Sequence, residues 1–108
     1  MTTPDQSRDA LAYALYLAWQ RGAGRYATGA PYPTHPWSAL RDCQQEQYRL
    51  RADRFRQKAH LAPAHRLYLS WSEDRYVKPF DRVNAGVRVL WWTVAEELAA
   101  LVAEREAA

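Results

Sequence analysis

Apolar residues recur at intervals of three and four along most of this chain, and clusters of Gly and Pro interrupt them, a pattern that admits helices but leaves a sheet without strands to pair. Leu11, Leu15, Ala18 and Trp19, with Ala12 and Tyr16 alongside, predict a first helix over 4–21. Thr3-Pro4-Asp5-Gln6 reads as its start, with a Thr N-cap, Pro at the first helical position and Gln at N3, and Gly22 stands where a left-handed cap would end it. The stripe Leu40, Gln44, Tyr48, Ala52, Phe55 and Ala59 predicts a second helix from Ser38 to about Ala59. Pro63 opens a third segment through about Arg75, carrying Leu67, Tyr68 and Trp71. Its run Arg66–Trp71 alternates well enough for a strand, and helix is preferred because a lone strand has no partner. After the turn Lys78–Asp81, with Asp81 or Asn84 as cap, a last helix runs to about Glu106 on the apolar face Val87, Leu90, Trp91, Val94, Leu98, Leu101 and Val102. The expectation is an all-α domain, a compact bundle of about four helices over 1–108, with a long Gly/Pro loop at 22–36 between the first two.

Size narrows the function. A chain of 108 residues can bury one modest core but not a core plus an enclosed cofactor site, so no cofactor is expected. Its five Trp, seven Tyr and two Phe exclude a disordered chain. The single Cys43 cannot close an internal disulfide, and the Met-Thr-Thr-Pro-Asp start lacks the basic and apolar regions of a secretion signal. The longest apolar run, Val89–Ala95, stops at Glu96 and Glu97, too short to span a bilayer. These features predict a cytoplasmic protein with no membrane partner.

Two segments resemble each other. Leu15-Tyr16-Leu17-Ala18-Trp19 and Leu67-Tyr68-Leu69-Ser70-Trp71 differ at one position, and each is followed by Pro, an aromatic and, three residues further on, an aliphatic: Pro36-Trp37 with Leu40, and Pro79-Phe80 with Val83. Coincidence competes with duplication in a chain this rich in Leu, Ala and aromatics. Duplication predicts two related helical hairpins on one core, the second with a shorter linker.

Catalytic constellations are missing. Gly22-Ala23-Gly24-Arg25-Tyr26-Ala27 matches a dinucleotide fingerprint in letters, but a helix precedes it and prolines follow, where the motif needs a strand before and a helix after. The soft metal ligands are Cys43, His35, His60 and His65, too few and too scattered for a site. Ser7, Ser38, Ser70, Ser72 and Cys43 lie in no nucleophile context, and the pairs Glu73-Asp74 and Glu96-Glu97 point apart on a helix. The chain is expected not to be an enzyme and to hold no metal.

Charge is the strongest functional signal. The net charge is +3, and all basic residues but Lys58 and Lys78 are Arg, which a GC-rich genome alone can produce. Arg49, Arg51, Arg54, Arg56 and Lys58 crowd both shoulders of the second helix, opposed there only by Asp53. They fit phosphate positioning, and Arg25 with Tyr26 in the glycine- and proline-rich loop would offer an adaptable edge where unpaired bases stack, so nucleic acid, single-stranded DNA included, is the expected partner. The competing reading is a solvated helix whose arginines pair with Glu96, Glu97, Glu104 and Glu106. Neighbouring Trp91 and Trp92 cannot both face one stripe. Trp92 either packs under the glycine- and proline-rich loop as one more core aromatic, the preferred reading in a domain this small, or stays exposed beside Arg88 and anchors a protein partner or a homodimer, without nucleic-acid binding.

In size, Arg- and Ala-rich composition and lack of a catalytic motif, the whole chain resembles the small accessory proteins carried by phages and mobile elements of GC-rich bacteria, anti-CRISPR proteins among them. Such proteins share no common fold, so the resemblance carries over no residue. It implies a stoichiometric binder that occludes a nucleic acid or a nucleoprotein complex.

Overall fold

The computed structural model describes residues 4–72 and 77–107. Four α-helices, α1 (Pro4–Thr28), α2 (Asp42–Gln57), α3 (Pro63–Ser70) and α4 (Ala85–Ala107), form an all-α bundle, and short 3₁₀ turns at Trp37–Ala39 and Phe80–Arg82 precede α2 and α4. The Arg66–Trp71 run is thus helical up to Ser70. The expected Thr3 cap lies outside the described residues, and the third helix ends at Ser70, with Trp71 as its C-cap, short of the expected end near Arg75. Asn84 rather than Asp81 starts α4, its Oδ1 accepting the Gly86 N–H at 2.7 Å.

The long loop is shorter than expected. Helix α1 does not stop at Gly22 but continues through Gly22 and Gly24 to Thr28, and the second helix begins at Asp42 rather than Ser38. Gly22 serves close approach, not capping: a Cβ there would lie 2.7 Å from the Cα of Val94, so only glycine lets α1 and α4 cross at that point. The cost of glycine inside a helix, about 1 kcal/mol relative to alanine, is offset by that packing. The left-handed cap falls instead on Gly29, whose φ is 83° and whose N–H donates to the Arg25 carbonyl at 3.0 Å. The remaining loop folds back on α1, where Tyr32 N–H donates to the Gln20 carbonyl at 3.1 Å and Gln20 Nε2 to the Pro33 carbonyl at 3.0 Å.

The core is aromatic. Leu15, Leu67 and Val94 are fully buried around three mutually touching indoles, with ring centroids of Trp19 and Trp71 5.7 Å apart and each 5.3 Å from Trp91. Tyr48 extends the cluster from α2, 6.0 Å from Trp71 and 5.5 Å from Tyr16. Offset and edge contacts of this kind add to the apolar area that the rings bury.

The two halves follow one path. Pro36 and Pro79 each open a 3₁₀ turn, with Ala39 N–H on the Pro36 carbonyl and Arg82 N–H on the Pro79 carbonyl, both at 2.9 Å. Leu40 and Val83 then leave each turn extended, and α2 and α4 begin at the same distance beyond. Tyr16 Oη accepts the N–H of His35, immediately before Pro36, and Tyr68 Oη donates to the carbonyl of Lys78, immediately before Pro79. Gln45 and Arg88, at matching places in the first turns of α2 and α4, each bond back to a carbonyl of the 3₁₀ turn before it, Trp37 and Asp81 respectively. The two halves are thus helical hairpins of similar course; α1 packs on α4, α2 on α3, and Trp19 meets Trp71 between them.

Candidate functional site

The basic shoulder of α2 is largely turned to structural use. Arg49 closes a two-pronged pair with Asp9 of α1, Nε to Oδ1 at 2.6 Å and Nη2 to Oδ2 at 3.2 Å, and lies 3.6 Å from Glu46 and 5.6 Å from the Trp37 ring centre. That guanidinium holds the Asp9 carboxyl below its ordinary range. Arg51 is half-buried with its guanidinium 4.9 Å from the Tyr48 ring centre and 4.6 Å from that of Trp71, where it covers the aromatic core as a cation on π faces. Desolvation pushes the Tyr48 phenol up. Arg54 is half-buried and Arg56 exposed, each with contacts of its own, and Lys58 caps the helix end.

The acids that hold Arg49 are not the expected ones: it pairs with α1 and within α2, while Glu96 and Glu97 of α4 take Arg25 of α1, Glu96 at 3.5 Å. Arg8 completes the α1–α2 contact, with Nη2 2.9 Å from Asp53 Oδ2 and 3.4 Å from Glu46 Oε1. Sequence reasoning missed Arg8 and Asp9. Their signal was present as a charged pair on the flank of the first helix that faces the second, but only the tertiary crossing gives it meaning.

A different surface stands out on α4. Trp91 is buried, while Trp92 is 51% exposed and so does not pack under the loop as expected, because Trp91 already fills the buried stripe of α4 and Trp92 lies about 100° away from it. On the same outward face lie Ala85, Val89, Glu96, Ala99 and Ala103, all exposed, so a helix with a normal buried stripe is apolar on its solvent side as well. Val89 is 44% exposed, and Tyr26 of α1, 46% exposed, borders the face beside Gly86, whose added Cβ would lie 2.8 Å from the Tyr26 hydroxyl. Arg88 sits on the other edge with Nη1 donating to the Asp81 carbonyl at 2.9 Å. Of the residues expected to bind partners, the structure gathers Trp92, Arg88, Arg25 and Tyr26 along the first half of α4 and leaves the α2 cations elsewhere.

A polar cleft of 430 Å³ opens between α1, the loop and the start of α2, lined by Tyr16, Gln20, His35, Gln44 and Tyr48 among others. Gln20 and Gln44 are both occupied there, on the Pro33 carbonyl and the Arg41 N–H. Among the described residues no three His, Cys, Asp or Glu are grouped to hold a metal ion, and no helix is long and apolar enough to cross a membrane. No family model, curated protein or solved structure matches the chain.

Proposed function

We propose that this is a non-enzymatic binding protein that engages another protein through the outward face of α4. Trp92 carries the reading: a half-exposed indole at the centre of an apolar stripe has the composition and placement of an interface anchor. Val89 and Tyr26 widen the apolar surface, and Arg25, Arg88 and Glu96 give it a charged rim. Site-directed photocross-linking tests it. Benzoylphenylalanine in place of Val89 should yield protein adducts in the native host while the same group at Glu46, on α2, yields none; adducts absent from Val89 would reject the face.

A second reading keeps the basic end of α2, where Arg54, Arg56 and Lys58 precede the exposed His60, as a contact for nucleic acid. Anisotropy titration of single- and double-stranded oligonucleotides at about 50 and 200 mM salt decides it, since several phosphate contacts weaken by orders of magnitude over that range. Replacing Arg54, Arg56 and Lys58 by Glu should then abolish binding, and absence of binding at the lower salt would dismiss this reading. Both describe a stoichiometric binder, the mode of action implied by the resemblance to accessory proteins of mobile elements.

A further inference from the structure

The geometry points to a specific occupant for the α4 face: a second copy of this chain, its own α4 laid antiparallel along the first. This rests on the reading of that face as the docking surface. Ala85, Val89, Trp92, Glu96, Ala99 and Ala103 follow one another at alternating steps of four and three, the spacing of a two-helix seam, and all six are exposed.

The other half of the molecule shows what this face normally meets. The places that Ala85, Val89, Trp92 and Glu96 hold on α4 are held on α2 by Asp42, Glu46, Arg49 and Asp53. Three of those four are engaged by Arg8 and Asp9 from the early turns of α1. Helix α3 begins only at Pro63, and the residues in the places of Arg8 and Asp9 are His60 and Leu61, in the turn before it. The motif therefore covers this face in its first half and leaves it open in its second, where the residues have become apolar.

Self-pairing fits the open face layer by layer. An antiparallel pair centred between Trp92 and Glu96 sets Ala85 against Ala103 and Val89 against Ala99 of the other copy, small residues that let helix axes approach to about 8 Å. The same register sets Trp92 against Glu96, so that the indole N–H meets a carboxylate, and Arg88, one turn before Trp92, brings the opposite charge to it. Twofold symmetry makes each contact twice. A parallel pair would face Glu96 with Glu96, a like-charge contact that selects against it. Arg25, 3.5 Å from Glu96, already offsets part of the charge to be desolvated.

Sedimentation equilibrium of the purified chain tests the pairing. At about 100 µM, well above the micromolar Kd expected of a small apolar interface, the mass should approach twice the 12.5 kDa of the chain. Trp92→Ala should weaken the dimer about tenfold or more with its helical circular dichroism unchanged. Arg88→Glu and Glu96→Arg should each be monomeric alone and dimerise when mixed, because only the mixed pair joins opposite charges at both contacts. A monomeric wild-type chain, or a mixture that stays monomeric, overturns the pairing. The cross-link at Val89 tells the two failures apart: a monomer that still cross-links a different protein loses only the second copy, and one with no adduct loses the docking face too.

Discussion

Helices α2 and α4 occupy corresponding places in two hairpins of similar course, and their outward faces are finished in opposite ways. On α2 the face is charged and tied to α1 through Arg8–Asp53 and Arg49–Asp9; on α4 it is apolar around Trp92 and carries one acid. The inward faces diverge far less, since Tyr48 and Trp91 touch the same Trp71, and Phe55 and Leu98 are buried at matching depth. A core position must fill the shared interior whatever the function, while a surface position is free to change once the chain no longer covers it. The difference between the halves therefore marks the surface on which the proposed binding rests.

The scaffold side of this comparison gives the largest effect. Leu15→Ala and Leu67→Ala remove matching, fully buried side chains, and each should cost about 2–5 kcal/mol in urea unfolding by leaving a cavity. A loss confined to one of them would show that the halves do not share one core. Arg49→Met should cost about 1 kcal/mol, a modest amount because Asp9 and Arg49 both keep partial access to solvent. Trp92→Ala, measured well below the dimerisation range, should stay within about 0.5 kcal/mol of wild type. Equal costs for these two would erase the distinction between a face used for folding and one held for binding.

The smallest effect is one of pH. Asp9 titrates below its usual value when folded, because Arg49 hydrogen-bonds its ionised form, so the pair stabilises the fold above the ordinary carboxylate range and is lost as pH falls through the lowered one. Thermal melts of wild type and Asp9→Asn should differ near neutrality and converge in acid. A constant gap down to the acid limit would show that the contact acts by shape rather than charge.

How much of this was legible depended on how local the cause was. The helices follow from spacing along one segment, which also narrows the cap of α4 to two residues and shows that Trp91 and Trp92 cannot share a face, but leaves open which cap is used and whether Trp92 is covered. Helix α1 overran its expected end because Gly22 answers to Val94, a neighbour in space only. Arg49 of α2 reads as part of a basic stripe for the same reason. Arg49 and Asp9 stand 40 residues apart in sequence, and nothing local distinguishes an arginine bound for a distant carboxylate from one bound for a phosphate.

The antiparallel contact between the first and last helices has a consequence for kinetics. The most extensive packing among the described helices joins α1 to α4, so the search for that contact must close a loop of about 60 residues or more, as between Tyr26 and Gly86, while each hairpin closes a shorter one. A circular permutant, with α4 joined to α1 through a flexible linker and new ends opened between Gln57 and Pro63, would convert that longest search into a local one. It should refold faster than the natural order, with an unfolding rate close to the original if the helices reach the same arrangement.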